Sequence, residues 1–177
     1  MMRAMLLMAI LDMLAIGAPA GNGRDQVRTY RSPDGAVVAR ILSVSQAGRH
    51  PRGEDRVELR SQSGRVLAQR SYASWDGEHG YGVIQAAWTP NSRFFIWRLE
   101  SSGGHSPWHS PVELWYRRRN RIYSLDRLLH DAIISSPFTV KRPDRVTLRV
   151  KGRTVIEGTP RTIRLERLLH KRTRNVR

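Results

Sequence analysis

Not one of the 177 residues is cysteine. Disulfides, thiolate metal sites and a lipid-bearing cysteine are therefore excluded together. Lysine is nearly missing as well. Lys141, Lys151 and Lys171 are the whole set, so arginine supplies almost all of the formal net charge of +16. Uninterrupted apolar runs long enough to cross a bilayer, about 20 residues, are also lacking. So are a phosphate-cradling glycine loop, a dinucleotide fingerprint, a calcium loop and the paired carboxylates of glycoside hydrolysis. No motif names a reaction.

The longest apolar stretch lies at the start. Arg3 precedes Leu6–Leu11; after Asp12 the run resumes through Met13–Gly17 and closes on Ala18-Pro19-Ala20. A basic start, an apolar centre and a small-x-small end are the parts of a secretory signal peptide. A carboxylate at mid-bilayer costs about 2.5 to 3.5 kcal/mol, which favours removal over anchoring. The expectation is a signal over residues 1–20, a single domain over 21–177, no transmembrane segment after cleavage, and a periplasmic or secreted location. Without disulfides the exported domain must be held by packing and ladder hydrogen bonds, which suits a bacterial envelope.

The charge admits two readings. One is attraction to an anionic envelope polymer, lipopolysaccharide or anionic lipid, through the tail His170–Arg174 and the turn Arg117–Arg121. The other is a solvated basic face, because most of the arginines are scattered along candidate strands. An exported chain does not meet cellular nucleic acid, so none is expected as a partner.

Beyond Gly23 the pattern is that of hairpins. Val37–Val44 is rich in β-branched residues and follows the turn Ser32-Pro33-Asp34-Gly35. In such a turn proline presets φ, aspartate bonds locally and glycine accepts positive φ. Val57–Arg60 and Arg65–Ala68 flank Ser61–Gly64; Tyr81–Trp88 and Arg93–Glu100 flank Thr89–Ser92; Val112–Tyr116 and Ile122-Tyr123 flank the arginine-rich turn. Phe138–Val140, Val146–Val150 and Thr154–Ile156 continue the series. The spacing predicts a mainly β fold, an antiparallel meander or sandwich of propeller-blade-like hairpins. Two short helices interrupt it. Ser124 can cap Leu125–His130 with Asp126 in the first turn, and Leu165–His170 is a near copy. Both leucine pairs are expected to cover a sheet edge or end.

Pro33-Asp34, Pro90-Asn91 and Pro143-Asp144 each open a hairpin turn, 57 and then 53 residues apart. Another hairpin falls between successive members, so each unit can be a four-stranded meander, the last one shortened. Ala87–Trp97, with its Trp-Thr-Pro-Asn-Ser-Arg core, resembles the aromatic-Ser-Pro-Asp-Gly-Lys hairpin of Tol-system and related β-propeller proteins. Tyr30–Val37 is similar to it too. The resemblance implies a periplasmic interaction platform. Two and a half blades cannot close a ring of four to eight, so a sandwich or open meander is expected.

The hairpin over Thr89–Ser92 has a geometric consequence. With Trp88 and Arg93 flanking the turn, Gly82 falls opposite about Leu99, and the segments at its open end lie side by side. These are Trp75–Gly82 and Ser101–Pro111, each with tryptophan, histidine and several glycines. Three readings fit this rim. Its rings can simply pack over the end of the sheet. Alternatively, Trp75, Tyr81 and Trp108 can stack on a sugar or peptide face while Asp76, Glu78, His79, Ser102, His105 and His109 supply directional hydrogen bonds. Or the rim can do chemistry, with His79, His105, His109 and Glu78 on a metal, or Ser102 as a nucleophile with His79 or His105 as base. The spacing is not diagnostic of either chemistry: Gly103, Gly104 and Pro107 oppose a zinc-protease helix, and Ser102 has no strand-to-helix elbow. The leading expectation is a non-enzymatic envelope protein, without a cofactor, binding a protein or glycan at this rim. A metal-assisted or serine hydrolase at the same place is the alternative.

Eleven of the thirteen aromatic residues fall between Tyr72 and Tyr123, which marks the middle of the chain as the densest core. Phe94–Trp97 sends large side chains to both faces of its strand, so both faces are expected to be covered. Trp88, Trp97 and Trp115 are assigned to packing; Trp75 and Trp108, in glycine-rich loops, are left as candidate contacts.

Overall fold

A computed structural model describes residues 27–44, 53–103, 107–151 and 158–174. Three antiparallel meanders follow one another along the chain. The first sheet contains β1 (Val27–Arg31), β2 (Val37–Ser43), β3 (Asp55–Ser61) and β4 (Val66–Ser71). The second contains β5 (Tyr81–Trp88), β6 (Phe94–Ser101), β7 (Val112–Tyr116) and β8 (Arg121–Ser124). The third has β9 (Thr139–Lys141), β10 (Arg145–Val150) and β11 (Thr159–Arg164), with β10 in the middle. Two helices, α1 (Leu125–Leu129) and α2 (Leu165–Arg174), follow β8 and β11. Among the described residues the fold is mainly β with two short helices, and the three sheets form no closed barrel.

The second sheet is the centre because alternate residues of its middle strands serve opposite cores. Phe95, Trp97, Leu99 and Trp115 face the first sheet and meet Val37, Ala39, Ile41, Val57 and Leu59. Phe94, Ile96, Leu114 and Tyr116 face the other way, towards Val146, Leu148 and Ile163 of the third sheet and the helix leucines. Both faces of Phe94–Trp97 are thus covered, and all four side chains are fully buried. Each such burial contributes about 1.5 to 3 kcal/mol. Trp88 packs edge-on against Trp115, with centroids 6.2 Å apart, and its Nε1–H donates to Tyr30 O across to the first sheet at 3.0 Å.

Gly82 lies opposite Glu100, and Leu99 faces Val83. The register differs by one from the expected one for two reasons. The closing pair of the turn is Trp88 with Phe95, and Ile84 is an extra residue in β5 between Val83 and Gln85. This bulge switches the alternation of β5, so that Val83, Ala86 and Trp88 all turn to the first sheet. Gln85 then faces the third sheet, where its amide bonds both the N–H and the C=O of Phe138.

Helix α1 starts where the capping pattern puts it, and α2 starts at Leu165 as its near copy predicts. Ser124 Oγ accepts from Arg127 N at 3.3 Å, and α1 ends on His130 with φ of 54°. Leu128, Leu129, Leu165 and Leu169 are buried between the second and third sheets. Strands β1 and β11 carry no apolar alternation that would announce them; β11 is exposed except at Ile163. The stretch Thr154–Ile156, read above as a strand, lies outside the described residues.

The Pro-Asp turns meet at one end of the stack. Asp34 N–H donates to Ser92 Oγ at 3.0 Å, and the Asp34 carboxylate pairs with Arg117 in the β7–β8 turn. Arg93 pairs with Glu166 at the start of α2, whose N–H donates to Asp144 Oδ2 at 2.9 Å. Residues that shape each turn therefore also tie it to the next sheet.

Candidate functional site

The opposite end of the stack holds the Trp/His rim. Its two segments touch: Ser102 N–H donates to Gly80 O at 3.0 Å, directly beyond the last ladder pair, Tyr81 with Ser101. Between them lies a residue that sequence reasoning missed. Glu54, one residue before β3, is fully buried and accepts hydrogen bonds from Ser74 N at 2.6 Å, Ser74 Oγ at 2.5 Å, Gly80 N at 2.6 Å and Ser102 Oγ at 2.9 Å. Burial opposes its ionisation, but these donors outweigh burial and hold its carboxyl below the ordinary glutamate value. A Cβ on Gly80 would stand 2.2 Å from Tyr72 O and 2.4 Å from Glu54 Cδ, so only glycine allows this closeness.

Asp55, the next residue, reaches into the second sheet and accepts from Val83 N at 2.7 Å and from Arg28 at 2.8 Å. Burial raises its pKa against those two bonds. The only sequence signal for this anchor is a pair of acids among Arg52, Arg56 and Gly53, just ahead of a β-branched run.

Anchored by Ser74, the loop folds on itself. Asp76 Oδ1 accepts from Ser74 Oγ at 2.9 Å and from Glu78 N at 3.0 Å, and Gly77 takes φ of 75°. The His79 ring bonds the other Asp76 oxygen. The Glu78 N–H, with Ser74 and His79, holds the Asp76 carboxyl well below the usual aspartate range. Trp75, between the two anchored residues, is 96% exposed. Tyr81 is half-buried and packs against the first core.

The rim divides about the end of β6. Trp75, Asp76, Glu78, His79, Tyr81 and Ser102 gather around Glu54 on the β5 side. Trp108 and His109 lie on the β7 side, where Leu99 N–H meets Pro111 O at 2.8 Å. There His109 Nε2 bonds Asp126 Oδ1 at 2.9 Å, and Asp126 also accepts from Val112 N and Ile133 N. Trp108 is 37% exposed, with its ring beside His109 and Lys151 Nζ 5.5 Å from its centroid. His105 lies outside the described residues.

Ser102 has its hydroxyl on buried Glu54, so it serves as a structural tie. His79 is held by Asp76 and His109 by Asp126. Among the described residues no three histidine or acidic side chains converge as metal ligands would. Among them, too, no helix is long and apolar enough to cross a membrane.

A scan against protein-family models and a search of curated proteins found no match to this chain.

Proposed function

We propose that this is an exported, non-enzymatic binding protein of the cell envelope, which takes a glycan or protein partner at the rim. One observation supports the reading above others: an almost fully exposed indole sits on a loop whose backbone is fastened to a buried carboxylate. Covering a side chain of this size is worth about 1.5 to 3 kcal/mol, and among the described residues none supplies that cover at Trp75, which leaves it to a partner. The loop is already ordered by Ser74, Asp76 and Glu54, so binding would not have to freeze it, which removes one of the usual costs of association. Asp76 and His79, bonded to each other in the same loop, are polar groups that would fix orientation. The stack of blade-like sheets serves as the rigid support for this loop.

The test is retention on immobilised envelope glycans and envelope proteins, comparing the full chain with Trp75→Ala and Trp108→Ala. Trp75→Ala is expected to reduce retention at least tenfold, as alanine substitution of a binding tryptophan does. Trp108→Ala should have a smaller effect, because its ring is already partly covered. Equal retention of all three proteins on every surface would reject the rim as a binding site.

A further inference from the structure

The outer face of the third sheet carries a feature that neither the rim nor the core uses. In the register of this sheet Arg145 is paired with Lys141 on one side and with Arg164 on the other. Side chains directly opposite one another share a face, so three cations stand in one row across three strands. At a strand spacing of about 4.8 Å, the row spans roughly 10 Å. All three are exposed. Arg164 is 3.5 Å from the buried Asp144 carboxylate, whereas among the described residues no acid pairs with Lys141 or Arg145.

The next row on the same face is Thr139, Thr147 and Thr162, the last two with hydroxyls 2.8 Å apart. Arg149 follows beyond it, exposed, with its guanidinium on Gly158 O. The opposite face of the sheet is the buried one, with Val146, Leu148 and Ile163 in the core. Over residues 139–151 and 158–167 there are eight basic residues and two acidic ones, and both acids, Asp144 and Glu166, are engaged with α2 or with arginines.

Like charges placed opposite each other in a ladder destabilise it by a few tenths of a kcal/mol or more. In this row only Arg164 has an acid of the protein beside it, and an external anion would neutralise the rest. We infer that this face is a docking surface for a membrane of anionic phospholipid. The cations and the threonine hydroxyls form a flat array of donors, which fits many phosphate headgroups in one plane. Among the described residues no aromatic ring lies on this face to stack bases, as single-stranded nucleic acid recognition requires. Among the described residues the one apolar side chain on this face is the small ring of Pro160, opposite Arg149, so the contact is with headgroups and does not enter the acyl region. This surface is independent of the rim and does not rest on the function proposed for it.

The test is co-sedimentation of the full chain with vesicles of phosphatidylglycerol and phosphatidylcholine, the pure phosphatidylcholine vesicle serving as reference. Wild type is compared with Lys141→Gln/Arg145→Gln and with an equal loss of charge elsewhere, Arg65→Gln/Arg118→Gln, at two exposed turn positions. A basic residue near an anionic surface contributes about fivefold to partitioning, so the sheet-face pair is expected to weaken binding about twenty-fivefold. The control pair should change it less than threefold, and 20 mM inorganic phosphate should compete only weakly, because a free anion lacks the array. Equal weakening by the two pairs would overturn the inference and leave bulk charge as the cause. So would equal binding to both lipids. Full displacement by inorganic phosphate would assign the face to the free anion, and displacement by a single-stranded oligonucleotide at lower concentration than lipid would assign it to nucleic acid; either overturns the membrane reading.

Discussion

The two ends of the stack use the same chemistry to different effect. At the turn end, Asp34, Ser92, Arg93, Arg117 and Glu166 join neighbouring sheets by ties at hairpin tips, and of these five only Ser92 is buried. At the rim end, Glu54 and Asp55 join the first two sheets from inside the protein, through backbone N–H groups and serine hydroxyls. The turn end spends its polar side chains on one another. The rim end hides its anchors and leaves a tryptophan outside. A surface tie can be replaced by water, whereas a buried one cannot, so the rim should be the more sensitive end and the better defined one.

The same substitution made at both ends gives the largest contrast. Gly80→Ala places a methyl group 2.2 Å from Tyr72 O, a backbone atom that cannot rotate away. A loss of about 3 kcal/mol is expected in denaturant unfolding, at the upper end of ordinary overpacking. Gly35→Ala, in the Pro33-Asp34 turn, meets no atom within 4 Å and is opposed only by a φ of 72°. It should cost about 1 kcal/mol. Comparable losses at the two positions would mean that the rim loop can move aside, and the contrast between the ends would collapse.

Glu54→Gln comes next. Four donors converge on the carboxylate, and an amide would turn one of its acceptors into a donor facing them, at about 2 kcal/mol. Its ionisation gives this anchor a pH dependence of definite sign. Its folded-state pKa is lowered, so its contribution is present above the unfolded value, about 4.3, and is lost as pH falls through the folded one. Asp55 is raised by burial and works in the opposite sense, favouring the folded form as pH falls. The Glu54 contribution is therefore read as the difference between wild type and Glu54→Gln across pH 2 to 6. The gap between them should shrink towards acid; a constant gap would mean that the charge of Glu54 contributes nothing.

The turn end has its own titration, smaller because it is exposed. Hydrogen bonds from Ser32, then from Arg117 and Ala36 N–H, outweigh burial and hold the Asp34 carboxyl at about 2. Its contribution is complete above about pH 4 and disappears as pH falls towards 2. Asp34→Ala should cost about 1 kcal/mol at neutral pH once solvent screening is allowed for, and almost nothing at pH 2. Thermal unfolding at the two pH values checks it, and an equal cost at both would remove the charge from the account.

These contrasts follow the line between what the residues disclosed and what they hid. The hairpins were legible because their turns are built from neighbours in sequence: Pro33-Asp34-Gly35 and Thr89–Ser92 set their own backbone angles whatever lies around them. The central position of the second sheet was legible because Phe94–Trp97 has no polar face to give to water. Glu54 was not legible, since its partners are 20, 26 and 48 residues away and nothing local to it marks a buried acid. The bulge at Ile84 was hidden for a similar reason, because it follows from which core Val83 and Trp88 must share. The rim was anticipated as two loops in contact, but its division by β6 was not. His109 turns away to Asp126, a residue of α1, and no pattern in the loop itself foretells that partner.

The smallest expected change in stability is the one that bears most on function. At 96% exposure Trp75 contributes almost nothing to holding its loop together. Trp75→Ala should leave the unfolding midpoint within about 0.5 kcal/mol of wild type, as surface substitutions do. Trp97→Ala, fully buried in the middle of β6, should cost about 3 to 5 kcal/mol. The remaining ring also predicts a spectroscopic sign. Among the described tryptophans Trp75 is by far the most exposed, so its removal should shift the protein's emission to shorter wavelength, and partner binding should shift wild type the same way while leaving Trp75→Ala unmoved. If Trp75→Ala destabilised the protein by more than 1 kcal/mol, the indole would be packing against the molecule, and the rim would be a sealed end and not a binding surface.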